Sequence, residues 1–434
     1  MIACRRFLSL AAAACWLASA SAVHAQGNSA PPPAPAAEDE GKAEGEGELN
    51  AAEADDPKTK KTHWNEYDGK YFSVRAGIGF LIDYAGYEQD ADSTMQMDLE
   101  STGKLRDFRF LLKGKLKFLG PRVTYSVGYM FDAVNDMWRF RQSGIMVAIP
   151  ELGGSVFVGR TKEGFSTYKL TTGYNLFANE RSVANDSFLP ILADGIKWMG
   201  KGFNGKLVYN VGFFSSILNR EQSYTKNDEV VAARTVYLPF ATKRDVLHLA
   251  LEGRYGNSKG GTLQFKAKPE SYPAQENAVD TGMLPATGNL MGGVEAYWER
   301  GPFILGMEYY LNQVYSSETD NPFFHGGEVF GAWLLTGEVR EYNANGGYFE
   351  QIYPKKGLLQ GGPGAIELVL RFTYADLKSG PVDGGRFWRV TPMVNWYLSD
   401  YLRLELGYGY GMLDRMEVKG NTHFFLSRIQ ISFM

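Results

Sequence analysis

Beyond its first 25 residues the chain contains no cysteine, because Cys4 and Cys15 both fall inside that stretch. No disulfide is then available to the rest, which must be held by architecture alone. The same remainder has no run of eighteen apolar residues, which excludes a transmembrane helix. Histidine is scarce: of five, His24 and His63 lie near the start, and His248, His325 and His423 show no metal-ligand spacing. No metal or other cofactor is expected. An excess of one charge is missing too. The 45 basic and 49 acidic residues of the whole chain include two arginines in 1–25, and four lysines and nine acids in 26–63, so residues 64–434 carry 39 against 40. With no net field, any electrostatic selectivity must come from local placement, and nothing points to nucleic acid.

What is present begins with a targeting signal. Arg5 and Arg6 precede an apolar run from Phe7 to Ala20, and Val23-His24-Ala25 puts small residues before a cut at Gln26. Residues 1–25 therefore read as a secretory signal peptide. Cys15, after four alanines, also fits a lipoprotein acceptor, although the apolar run ahead of it would be unusually short. Residues 26–63 open with Pro31-Pro32-Pro33 and continue through Ala, Glu and Gly to Lys58, Lys60 and Lys61. Having almost no large apolar side chains, this segment is expected to be a disordered acidic linker, with contact to the cell-wall layer or a periplasmic partner as the sharper reading.

From Tyr71 onward, in residues 64–434, the hydrophobic period is two. Phe72, Val74, Ala76, Ile78, Phe80, Ile82 and Tyr84 share one face, opposite Ser73, Arg75, Gly77, Gly79 and Asp83. The pattern recurs at 108–118, 123–131, 207–213, 303–311 and 402–412, more weakly near 155, 196, 247, 263, 294, 330, 367 and 390. Such segments amount to about sixteen strands. Short connections at 119–122, 150–154, 257–261, 299–302 and 398–400 alternate with long polar ones at 85–103, 162–194, 215–245 and 268–290. That alternation predicts an all-β fold, a transmembrane antiparallel β-barrel of the outer-membrane kind with periplasmic turns and extracellular loops. The stretch 343–363 breaks the rule, being long and Gly-rich where a short turn is due.

The segment FRFLLKGKLKF, residues 108–118, says most about function. Lys113, Lys115 and Lys117 take one face and Gly114, Leu116 and Phe118 the other. A lysine facing lipid at mid-depth costs roughly 2 to 4 kcal/mol, so three in register must face water and line a lumen. Fixed cations on an aqueous wall replace part of an anion's hydration. The expected anion pathway comprises Arg109, Lys113, Lys115 and Lys117, Arg139 and Arg141, and Arg160, Lys162, Lys169 and Arg181 in and before the loop at 162–194. Arginine grips phosphate with two donors, lysine as a point charge. Against this, basic residues occur on aqueous barrel walls of any selectivity. Asp132, Glu163 and Glu180 lie near enough in sequence to offset the cations, and Glu180 is placed to pair with Arg181. Tyr71, Trp138, Tyr255, Trp298 and Trp396, near strand ends, are candidates for interfacial girdles.

Several stretches resemble the phosphate-selective porin O/P family. AWLLTGEVREY (332–342), GGPGAIELVLRFTYADL (361–377) and VNWYLSDYLRLELGYGY (394–410) are similar, in order and spacing, to that family's LTGE, GAxElxxRYSxLDL and NWYLN strands. VFVGRTKEGFSTYKLTTGYNLFANERSVANDSF (156–188) matches its segment of a lysine, a Phe, a Thr/Ser-rich turn and ERA. The resemblance implies a sixteen-stranded homotrimeric barrel in the Gram-negative outer membrane, with 162–194 folded inward as a constriction. Departures are the missing proline at Lys162-Glu163-Gly164-Phe165 and the missing acid at Tyr168-Lys169. Ile429, Ile431 and Phe433 resemble the terminal signal read by the barrel assembly machinery, although Met434 follows the aromatic.

The function expected is therefore passive diffusion of small solutes, anion-preferring and phosphate-selective at its sharpest, through a lumen lined by Lys and Arg and narrowed by an inward loop, in a barrel set among outer-membrane lipids and without catalysis. The alternatives are a structural or adhesion barrel with a closed lumen, and a membrane hydrolase in which a serine faces His248 or His423.

Overall fold

A computed structural model of the chain describes residues 64–132, 137–215 and 227–433. The expected signal peptide and linker lie outside the described residues. Sixteen antiparallel strands form the wall: β1 Ser73–Gln89, β2 Thr102–Lys115, β3 Val123–Asp132, β4 Met137–Ile149, β5 Gly154–Thr161, β6 Ala193–Gly202, β7 Leu207–Ser215, β8 Asn227–Ala241, β9 Asp245–Ser258, β10 Gly288–Arg300, β11 Phe303–Tyr315, β12 Phe323–Leu334, β13 Ala365–Ser379, β14 Val382–Tyr397, β15 Leu402–Arg415 and β16 Val418–Phe433. Each pairs with the next, and β16 returns to β1 from Ile78↔Phe433 to Gln89↔Thr422, closing the barrel. Closure leaves no row of unpaired backbone groups at an edge. Among the described residues no helix is long and apolar enough to cross a membrane.

The two faces of the wall are chemically distinct. On β1, Ile82 and Tyr84 are exposed while Leu81, Asp83 and Ala85 are buried. The even-numbered apolar face of β1 points outward to lipid, as the period-two pattern requires. On β15, Leu406 and Tyr408 point outward, and Gly407, Gly409 and Gly411 take the inner face. At Gly409 an added Cβ would stand 2.3 Å from the Arg389 Nε, so a guanidinium crosses where only glycine leaves room. Outward aromatics cluster near strand ends: Trp138 packs among Phe108, Phe110 and Tyr129, and Phe303 stacks on Trp333.

Four connections differ from the sequence pattern. Residues 227–241, expected within a long loop, form β8. Its inner face is Val230, Ala232, Val236 and Leu238 around Arg234, all buried, so both faces are largely apolar and the alternation is lost. Residues 257–261, expected as a short turn, open the long connection 259–287, and the strand expected near 263 is only the pair Thr262–Leu263 against Leu284–Pro285. The side of the long loops also holds two-residue hairpins, at 380–381 and at Met416–Glu417. Met416 and Glu417 both adopt positive φ, 57° and 61°, the twist a tight hairpin demands.

Closure at β1–β16 is directly testable. Replacing Ile82 and Ile429, which face each other in register, by cysteine should give an intramolecular disulfide on oxidation of the folded barrel in detergent. A joined peptide seen by mass spectrometry is the expected result; none, or only chain-to-chain links, would contradict the register.

Candidate functional site

The interior is not an empty tube. Three connections turn into it: 162–192 from the long-loop side, 259–287 from the same side, and 335–364 from the side of the short turns. Residues 162–171 and 174–185 are buried throughout. Such a loop brings backbone N–H and C=O groups into a space where most have no helix or ladder partner, and each must be satisfied. The wall supplies the partners, sorted by sign.

Donors of the loop meet acids. The short helix α1, Ala91–Gln96, lies in the first outer connection; α2, Thr167–Leu170, and α3, Val183–Phe188, lie in 162–192. Ser166 caps α2 at φ 68°, accepting from the Lys169 N–H, a backbone setting that costs a non-glycine residue about 1–3 kcal/mol unless its surroundings hold it. They do. The Ser166 N–H donates to Glu252 on β9, the Thr167 N–H to Glu295 on β10 at 2.9 Å, and the Tyr168 N–H to Glu308 on β11 at 2.8 Å. The Ser166 hydroxyl adds a bond to Glu308 at 2.6 Å. Two of these carboxylates are held together by Arg234, which donates to both oxygens of Glu295 at 2.9 and 2.8 Å and lies 3.3 Å from Glu252.

Acceptors of the loop meet guanidiniums and side-chain amides. Gln430 donates to the Tyr174 carbonyl at 3.1 Å, Arg340 to Asn175 at 2.8 Å, Arg403 to Leu176 at 2.9 Å, Asn395 to Phe177 at 2.9 Å and Arg371 to Glu180 at 2.8 Å, while Arg428 donates to Asn179. The Glu180 carboxylate is clamped by Arg106 at 2.6 Å and Arg428 at 2.6 Å. Burial opposes its charge, but these two guanidiniums outweigh burial and hold Glu180 well below the usual carboxylate range. Arg428 also makes a two-pronged bond with Asp83 at 2.6 and 2.7 Å.

The other two inward connections are held in the same manner. In 259–287 Glu270 takes the Val183 N–H at 2.9 Å and Arg371 at 2.8 Å, and Arg389 donates to the Pro269 carbonyl at 2.9 Å. In 335–364, which contains the 343–363 stretch that broke the turn rule, Arg340 bonds both oxygens of Glu367 at 3.0 and 3.1 Å and crosses the Phe177 ring at 4.2 Å. His248 binds Tyr342 at 2.7 Å and Glu295 at 2.9 Å. Arg234 reaches the Gly347 carbonyl at 2.9 Å. Gly347 has φ 70°, and a Cβ there would sit 3.1 Å from the Arg234 guanidinium, so glycine lets this connection dock.

The ten residues expected on an anion pathway therefore separate. Lys113 and Lys115 on β2, and Arg139 and Arg141 on β4, share the inner face with Arg75 of β1, which pairs in register with Lys113. All five are only half-buried. Arg109 shares that face but pairs with Asp107 and crosses the Tyr174 ring at 4.7 Å. Lys117 has left the strand: it sits in the 3-10 turn Lys117–Leu119, bonded to Asp68 and to the Gly69 carbonyl at 2.9 Å. Arg160 is buried against Asp194 at 2.7 and 2.9 Å. Lys162 and Arg181 both bond the Thr171 carbonyl, at 3.0 and 2.8 Å, closing the C-terminal end of α2. Lys169 meets Asp186 at 3.1 Å; burial pulls its ammonium down to about 8, with Asp186 opposing.

Of the acids expected to offset the cations, Glu180 pairs with Arg106 and Arg428, not with Arg181, and Glu163 pairs with Arg254. The Asp132 side chain lies outside the described residues. Inner-face cations absent from those ten include Arg75, which the pattern put on the polar face of β1, Lys197 and Lys201 on β6, and the arginines bonded to the inward connections, among them Arg106, Arg234, Arg371, Arg403 and Arg428. The spacing KWMGK, with Met199 between, is a period-two signal for Lys197 and Lys201.

A closed barrel with an outward apolar belt and inward loops defines an outer-membrane porin barrel, set in the Gram-negative outer membrane. The family model for phosphate-selective porin O and P matches residues 74–433, and the chain belongs to that family. An uncharacterized protein of Caulobacter vibrioides is 30% identical over 179 residues, 41% of this chain and 36% of that protein. Porin O of Pseudomonas aeruginosa is 22% identical over 293 residues, 59% of this chain and 65% of that one. The chain thus spans about a third and about two-thirds of the length of these relatives. An anion-selective porin from Comamonas acidovorans overlays with a TM-score of 0.53 at 12% identity, covering 83% of this chain and all of that one, a likeness of fold.

Removing the base shared by wall and loop should free the loop. Arg428→Ala strips partners from Asp83, Glu180 and the Asn179 carbonyl, and breaking such a buried pair costs about 3–5 kcal/mol. The expected outcome is a lower unfolding temperature together with a larger and noisier single-channel current. Lys113→Ala should change the current while leaving the unfolding temperature in place.

Proposed function

We propose that the chain is a passive diffusion channel that prefers small anions and admits phosphate, working as a homotrimer as the family resemblance implies. One observation carries the reading. The half-buried inner cations Arg75, Lys113, Lys115, Arg139 and Arg141 sit together on β1, β2 and β4, whereas Glu252, Glu295 and Glu308 of β9–β11 and Arg371, Arg389, Arg403 and Arg428 of β13–β16 are bonded to inward connections. An anion crossing beside those five cations exchanges hydration for charge-assisted contacts. The two arginines of β4 offer the forked geometry that suits a phosphate oxyanion. Entry lies on the side of the long loops, the route runs between the 162–192 loop and the cationic wall, and exit lies beside the short turns, with no energy coupling.

A second reading draws on the same interior. Three inward connections packed against one another suit a barrel with a closed lumen and a structural or adhesive role. A hydrolase finds little support at the two histidines in question: His248 is bonded to Glu295 and Tyr342, and His423 to Tyr408 at 2.7 Å on the outward face of β16.

Planar-bilayer recordings separate the readings. Under a chloride gradient the reversal potential should be anion-selective, and Lys113→Glu with Lys115→Glu should move it toward cation selectivity. Lys117→Glu, in the turn, should move it less. Phosphate added to the bath should reduce chloride current. Absence of conductance would favour the closed barrel, and cation selectivity indifferent to Lys113 and Lys115 would contradict the anion pathway.

A further inference from the structure

The outer face of the wall is indented. From the β8–β9 and β10–β11 turns a groove of about 1480 Å³ climbs obliquely across β11–β16 to Tyr84 on β1. Its floor lies where the wall is thin. Gly331 presents no side chain, and Pro392 removes a donor from the ladder: pairing of β14 with β15 skips Thr391 and Pro392 between Val390↔Tyr410 and Met393↔Gly407. Leucine side chains at 305, 368, 370 and 406 flank the floor. At its lower end, beside the short turns, stand Trp298 and the stacked pair Phe303 and Trp333, 5.4 Å apart. The exposed Arg244 and Arg300 sit at the same end, with one acid, Asp245, beside them.

We propose that this groove holds an anionic phospholipid of the periplasmic leaflet, its acyl chains along the indentation and its phosphate at Arg244 and Arg300. In a bilayer two apolar surfaces gain nothing by leaving lipid, so association must rest on packing and polar contacts. A flexible acyl chain follows an oblique, uneven floor and supplies the dispersion contacts a void would forfeit. Two guanidiniums against one carboxylate favour an anionic headgroup, and aromatic rings at the interface are where such a headgroup lies. The groove is separate from the lumen, so the proposal does not rest on ion selectivity.

The test uses the full barrel reconstituted with phosphatidylglycerol carrying a photoactivatable diazirine on one acyl chain, or with phosphatidylcholine carrying the same group. Adducts from phosphatidylglycerol should concentrate in peptides covering 298–307, 366–372 and 392–408, over the outward face of β3 and β4. Phosphatidylcholine should label these peptides several-fold less. Arg244→Glu with Arg300→Glu should erase the preference for phosphatidylglycerol, and Gly331→Phe, filling the floor, should reduce adducts from both lipids; heat-modifiable gel mobility checks that each variant folds. Adducts spread evenly around the barrel, or unchanged in both variants, would overturn the proposal. So would efficient disulfide linkage between copies through Leu370→Cys, which would make a second barrel the occupant.

Discussion

An inward-turning loop must find a partner for every backbone N–H and C=O it carries into the barrel, and the wall of this protein is built around that demand. Carboxylates on β9, β10 and β11 take the amides at 166–168. Guanidiniums and amides on β13–β16 take carbonyls between 174 and 180. Opposite signs on two neighbouring arcs of the wall, separated by β12, hold the same loop. Each wall charge is costly to bury alone, and its ion partner and the loop's polar groups together offset that cost. The loop and the charged wall therefore stand or fall together.

That division of labour explains why counting basic residues is a poor guide to ion preference here. Most buried arginines of β13–β16 are bound to the loop or to carboxylates, as Arg371, Arg403 and Arg428 show. The cations of β1, β2 and β4 differ in placement, being half-buried on the inner face. The connection 335–364 extends the arrangement to the opposite end of the barrel. Through Arg234 and Glu295 it shares a hydrogen-bonded network with the start of α2, so the two inward segments lean on common wall residues.

Much of the barrel was legible in the sequence because one face meets lipid and the other meets water or charge. β1, β2, β3 and β15 alternate cleanly and were readable for that reason. β8 was not: its inner face packs against inward protein, so Val230, Ala232, Val236 and Leu238 are as apolar as the outer face. The converse error arose at 262–265, where Leu263 and Phe265 imitate a strand but belong to the core that 259–287 makes with Val183 and Phe188. At the site, the pair Lys113 and Lys115 was legible from spacing alone. Lys117 failed because the chain turns before it, and Arg75 needed the β1–β2 register. Lys162, Lys169 and Arg181 lie in the expected loop but serve its own packing, since a carbonyl acceptor ten residues away leaves no mark on a period-two pattern.

The central claim, that wall charges hold the 162–192 loop as firmly as a strand, is tested most directly by hydrogen–deuterium exchange on the folded barrel. The account predicts that the amides of Ser166, Thr167 and Tyr168 exchange as slowly as those of β10 and β11, and that Glu308→Gln speeds Tyr168 before its strand neighbours. Exchange of those three amides at the rate of an exposed loop would contradict it.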